Sequence, residues 1–175
     1  MSKSHLRFQV DSRIATLLSQ EYPSSERALK ELVDNAWDAD AEGVTILLPK
    51  PLSGDPIVIK DNGTGMTEEE LRRHYLFIAT DRRSHRGERT ALKNRLVKGR
   101  KGIGKFAGLM AASVMTLETR ARGRVCRFIL RLDELSQVDD IERLNIDLHS
   151  DSCDVNQHGT TITLSELHQG LSFPD

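Results

Sequence analysis

Three short stretches carry residue types that can do chemistry together. In "ELVDNAWD" (residues 31–38) a carboxylate, Glu31, stands four positions before a carboxamide, Asn35, and Asp38 follows three later. On a helix these three fall within about 60° of one another, on the side away from Leu29, Leu32, Val33 and Ala36. A carboxylate can activate a water, and a carboxamide oxygen can ligate Mg²⁺. In "DNGTGM" (residues 61–66) Asp61 ends an apolar run and Gly63 and Gly65 follow. An acid there can accept a hydrogen bond from an exocyclic amine, while the glycines let a flat base lie against bare backbone. The third stretch, "GRKGIGKFAG" (residues 99–108), has three readings. Gly99, Gly104 and Lys105 are spaced like a P-loop, but Phe106 stands where Ser or Thr should follow. Gly102, Gly104 and Ala107 fit the dinucleotide fingerprint, yet the preceding "ALKNRLVK" is too charged for the buried strand that both motifs require. A plain tight turn into a helix is the third reading. This segment alone leaves all three open.

The elements that must position these residues follow from periodicity. Residues 6–10 alternate like a short strand, and "SRIATLLSQ" carries helical spacing at Ile14, Leu17 and Leu18. A helix is predicted from Glu26 to about Asp40, with Ser24 or Ser25 able to cap it. "VTILLP" and "DPIVIKD" read as strands, and "TEEELRRHYLFI" as a helix opened by a Thr67/Glu70 capping box. "KFAGLMAASV" reads as a small-residue helix, and "VMTLETRA" and "RVCRFILRL" as a hairpin about Gly123. Residues 133–143 fit no single pattern, "NIDLH" fits a strand, "SDSCDVNQHG" a polar loop and "TTITLSEL" a last strand. Helices and strands intermix without strict alternation, which suits a mixed sheet with helices on one face better than a doubly wound parallel sheet.

The chain has 175 residues, room for one domain, and a net charge of −1 that hides an uneven distribution. Between Asp81 and Lys101 nine basic residues face only Asp81 and Glu88, a local surplus of +7. Such a stretch is expected to be a solvated, mobile loop, or else to touch polyphosphate or nucleic acid. Cys126 lies inside the apolar "VCRFIL" and Cys153 is far along the chain, so a buried thiol is expected rather than a zinc site or a disulfide. No stretch reaches the roughly 18 apolar residues of a membrane span, and no signal-peptide core opens the chain. A cytoplasmic location without membrane contact is therefore expected.

In order and spacing, "ELVDNAWDADA", "DNGTGM", "GRKGIGKFAG" and "GTTITL" resemble the motifs of the GHKL superfamily, the Bergerat-fold ATPases that include gyrase, MutL proteins, the large heat-shock chaperone, MORC proteins and sensor histidine kinases. The resemblance extends from roughly residue 8 to 165. It implies an α/β fold of the two-layer α+β kind, with a mixed, mostly antiparallel sheet, helices on one face and an ATP lid over about 80–104. It also implies ATP and Mg²⁺ as cofactors and hydrolysis to ADP and phosphate, slow in the isolated domain. By this resemblance Glu31 polarises the attacking water, Asn35 ligates Mg²⁺, and Asp34 and Asp38 support the site. Asp61 reads the adenine amine, Gly63 and Gly65 shape the base pocket, and Met66 packs at its wall. Lys101, Gly102, Ile103, Gly104, Lys105 and Phe106 fall at the phosphate end, with Thr80 and Arg82 where the lid opens. Thr160 or, preferentially, Thr161 helps hold adenine. The implied organisation is a single N-terminal domain, residues 1–175, of a longer chain. It would act as an ATP-gated switch that forms a homodimer on binding ATP, with protein or DNA partners met through downstream domains. Two alternatives are a histidine kinase catalytic domain and a non-catalytic nucleotide-sensing or nucleic-acid-binding module. The kinase is the less expected, since these 175 residues include no helical hairpin with an acceptor histidine and His5 stands in a strand-like context.

Overall fold

The computed structural model describes residues 2–7, 24–50, 53–75, 87–99, 104–137 and 145–168. Helix α1 (Ser25–Asp38) starts where the sequence offers a cap: Ser24 is extended and its side chain accepts the Arg27 N–H. Ala28, Leu29, Leu32 and Ala36 are buried along it, the apolar stripe that docks it. Asp34 and Asp38 are buried too, so neither is a solvated helix charge. The helix ends in a Schellman motif, with Asp40 N donating to Trp37 O at 3.0 Å and Ala41 N to Ala36 O at 3.0 Å. The position usually taken by glycine is held by Asp40 at φ 61°.

Seven strands form one sheet in the order β1-β6-β5-β4-β7-β3-β2. They are β1 (Ser2–Arg7), β2 (Val44–Leu47), β3 (Ile57–Asp61), β4 (Ala112–Ala121), β5 (Arg124–Arg131), β6 (Asn145–Ser152) and β7 (Gly159–Leu167). Every described pairing is antiparallel, in keeping with the mostly antiparallel sheet expected. Thr67 opens the short helix α2 (Glu68–Glu70) with both halves of the capping box in place, and a π-helical turn, Leu71–Tyr75, continues it. Helix α3 (Leu132–Gln137) occupies part of the segment whose pattern was ambiguous.

Three expectations shift. The first strand lies at Ser2–Arg7, earlier than the predicted 6–10. "KFAGLMAASV" is not one helix: a 3₁₀ helix covers Gly104–Met110, and the chain is already in β4 at Ala112. Gly108 explains the close packing there, since a Cβ on it would lie 2.6 Å from the Leu164 side chain. β6 runs on into the predicted polar loop because its inward Ser150 finds partners, accepting from Arg124 Nη2 at 3.0 Å. The helix predicted over residues 12–20 lies outside the described residues. One apolar core, with Phe106, Phe128, Leu117, Met115 and Ile57 fully buried, fills the space between helices and sheet. The fold is a two-layer α+β sandwich. Among the described residues no helix is long and apolar enough to cross a membrane.

Candidate functional site

The site is assembled where the end of β3 docks on the exit of α1. Thr64 N donates to Ala39 O at 2.9 Å, and Asn62 Oδ1 accepts from Glu42 N at 2.8 Å and Gly43 N at 2.9 Å. A Cβ on Gly63 would come within 2.7 Å of Ala39 O, so only glycine permits this approach. Gly65 has φ 62°, and a Cβ there would collide with Arg120 O at 1.9 Å. These contacts carry Asp61 from the sheet to the helix. Its Oδ1 accepts from Gly63 N at 2.8 Å and Thr160 N at 3.2 Å, and among the described residues Oδ2 has no protein donor. Burial pushes the Asp61 carboxyl up, and the two backbone donors pull it back in part. Behind it, Met66 N donates to Thr119 Oγ1 at 2.9 Å, which meets Thr160 Oγ1 at 3.2 Å. His158 Nδ1 lies 2.8 Å from Gly63 O and ties the β6–β7 connection to the same turn.

Across a cleft of ≈ 2000 Å³ from Asp61 stand Glu31 and Asn35, both half-buried on α1. Among the described residues Asn35 Nδ2 is buried and has no hydrogen-bond partner. A buried donor left unpaired costs on the order of 1–3 kcal/mol, which an acceptor from beyond the described residues would remove.

The described part of the basic segment, residues 87–99, is a largely exposed strap anchored on the exit of α1. It closes on itself through Thr90 N to Arg95 O at 2.8 Å and Val97 N to Glu88 O at 2.9 Å. Asp38 holds its end, Oδ1 accepting from Lys98 N at 2.8 Å and Oδ2 from Gly99 N at 2.9 Å. Asp40 accepts from Leu92 N at 2.9 Å and Lys93 N at 3.3 Å. Lys98 Nζ reaches Asp34 Oδ1 at 2.8 Å, Lys93 pairs with Glu42, and Arg95 Nη1 donates to Ala41 O at 2.7 Å. The Trp37 indole donates to Leu96 O at 3.1 Å and lies under Arg95 at 4.4 Å and Lys98 at 4.9 Å. Burial raises the Asp34 and Asp40 carboxyls, but their donors outweigh it. Lys30 and Lys98 hold Asp34 below the usual range, and the Thr90 hydroxyl, the Leu92 and Lys93 N–H groups and Arg95 do so for Asp40.

The structure brings Glu31, Asn35 and Asp38 to one cleft with Asp61, Gly63, Gly65 and Met66, and Gly104 and Lys105 line it too. Phe106 and Thr161 do not line it. Phe106 is buried in the core, edge-to-face with Tyr75 at 6.2 Å between ring centroids. On β7 it is Thr160, not Thr161, that faces the cleft. Alternation along the strand turns Thr161 away, opposite Lys60 and Glu118. Thr80, Arg82, Lys101, Gly102 and Ile103 lie outside the described residues. Sequence reasoning missed Asn62, Trp37, Thr119, His158 and Tyr75, whose hydroxyl donates to Lys105 O at 3.0 Å. Thr119 alone left a signal, a polar residue at an inward position between Leu117 and Ala121 of an alternating strand.

Comparison with known proteins agrees with this arrangement. A family model described as "Histidine kinase-, DNA gyrase B-, and HSP90-like ATPase" matches residues 22–160. The chain is 34% identical over 116 residues to a protein of Herpetosiphon aurantiacus bearing the name of a type II restriction enzyme, HgiDII, covering 66% of this chain and 18% of that one. It is 29% identical over 151 residues to "Chaperone protein HtpG" of Geobacter sulfurreducens, covering 70% of this chain and 22% of the relative. With HtpG of Burkholderia lata the match is 27% over 197 residues, 97% of this chain and 29% of the relative. The chain thus spans less than a third of the length of these relatives.

Proposed function

Because the chain belongs to the family of histidine kinase-, DNA gyrase B- and HSP90-like ATPases, we propose that its cleft binds ATP with Mg²⁺ and hydrolyses it slowly, gating a change of conformation or pairing of two copies. The observation that carries this reading is the cleft itself, which Asp61 and its glycine turn line together with Glu31 and Asn35 of α1. An adenine amine suits the Asp61 carboxylate, and the Asn35 carboxamide suits the phosphate end with its Mg²⁺. Among the described residues no group of three or more His, Cys, Asp or Glu is placed to hold a metal. A single carboxamide oxygen on Asn35, with phosphates completing the set, matches the sparse protein ligation that Mg²⁺ takes. Bound there, the ion would offset phosphate charge. Glu31 orients and deprotonates the attacking water, while Gly104 and Lys105 bring backbone N–H and positive charge to the phosphate end.

In the strap Lys93, Arg95 and Lys98 are engaged by α1 and its exit, and Arg89 donates to Asn94 O. That favours a lid over a free nucleic-acid surface. Calorimetric titration with ATP, ADP and GTP, with and without Mg²⁺, tests the reading. Adenine nucleotides should bind, GTP should not, and Mg²⁺ should tighten ATP. Glu31→Ala should retain ATP affinity and lose hydrolysis by about 10²–10⁴-fold; turnover equal to wild type would remove Glu31 from its role.

A further inference from the structure

The strap makes an assignment that the family resemblance does not. Both oxygens of Asp38 are used within the protein, by Lys98 N and Gly99 N, at the point where the strap leads toward the glycine-rich loop. Two residues on, Asp40 sits in the left-handed conformation at φ 61°, where glycine would serve the helix stop better. Its carboxylate accounts for the choice, since it accepts from Leu92 N and Lys93 N. Between them, Trp37 donates to Leu96 O and lies beneath two strap cations. Three residues of the helix exit therefore serve one object, the strap.

We propose that Asp38, Asp40 and Trp37 form a latch, and that Asp38 is a positioning residue rather than a nucleotide ligand. The latch fixes Gly99 against the helix that carries Glu31 and Asn35. The chain thus enters the glycine-rich loop at a set place relative to both. Its effect on nucleotide rests on the ATP reading above, but the latch itself exists without any ligand.

The two claims separate experimentally. Trp37 is the sole tryptophan, 39% exposed under the strap, so its emission reports the latch directly. Asp38→Ala and Asp40→Gly are compared with wild type. The second relieves the left-handed strain and keeps the helix stop, so the helix survives while the anchor goes. In nucleotide-free protein both variants should shift Trp37 emission to the red. Both should also speed tryptic cleavage after Lys93, Arg95 and Lys98 by about tenfold or more. In titrations both should weaken Mg-ATP by about tenfold while adenosine, which lacks phosphates, binds as in wild type.

Weaker ATP binding in Asp38→Ala with wild-type emission and cleavage would overturn the proposal, because Asp38 would then touch the nucleotide. A freed strap with unchanged ATP affinity would overturn the positioning role. If wild type bound neither adenosine nor ATP, the ATP reading would fail, and the ligand-free emission and cleavage would still decide whether the latch exists.

Discussion

Asp61 shows how one carboxylate can be held and left available at once. Oδ1 is tied to Gly63 N and Thr160 N, which fixes the plane of the group and leaves Oδ2 without a donor among the described residues of a cleft that Asp61 lines. Asp61→Asn keeps this arrangement, because the amide oxygen can still accept both N–H groups and the NH₂ then takes the cleft side. A donor would there face the amine of adenine, so adenine-nucleotide affinity should fall by about 10²-fold or more. Stability should move the other way. A carboxyl whose pKa is raised by burial favours its neutral form in the folded state, so above the ordinary carboxylate range the ionised group lowers stability. The variant should therefore melt no lower than wild type at neutral pH. Calorimetry for binding and a thermal melt read the two effects apart; lost binding accompanied by a lower melting temperature would mean that the substitution damaged the fold.

At the scale of elements, α1 and the strap make one unit, and pH tests it. The folded pKa values of Asp34 and Asp40 lie below their ordinary values, so the stability they contribute is present above about pH 4 and is lost as pH falls through the lowered values. Trp37 emission should hold steady through neutrality and shift red only below about pH 4, as Lys30, Lys98, Arg95 and the strap N–H groups lose their anionic partners. A transition near pH 6 would assign the change to histidine instead. This unit also marks the limit of what the sequence conveyed. The Ser24 cap, the Thr67/Glu70 box and the apolar stripe of α1 were legible because each is decided within a few residues. Asp61 and the two glycines were legible because their order matched a known motif. The strap was not, since a run of basic residues looks solvated until the acids that receive it are placed, and Asp38 and Gly99 lie 61 residues apart. The start of β4 at Ala112 was missed for the same reason, its pairing with Leu167 being invisible locally.

At the scale of the molecule, the cleft lies between Asp61, the turn after it and Thr160 on the sheet side and α1 on the other. A nucleotide seated between Asp61 and Asn35 would join sheet to helix, so its binding energy should appear as resistance to unfolding of the whole domain rather than of one loop. Mass action sets the size: a ligand at 100 times its Kd stabilises by about 2.7 kcal/mol. For a domain of this length that corresponds to a rise in Tm of about 5–11 °C, given about 2–4 °C per kcal/mol. Mg-ATP should produce the shift in wild type and in Glu31→Ala, since that variant alters chemistry and not the bridge. In Asp61→Asn the same ATP concentration, then about equal to the Kd or below it, should raise Tm by no more than about 1–2 °C. A shift in Asp61→Asn equal to that of wild type would place the nucleotide elsewhere on the molecule, because no ligand held between these two residues could survive the loss of one end undiminished.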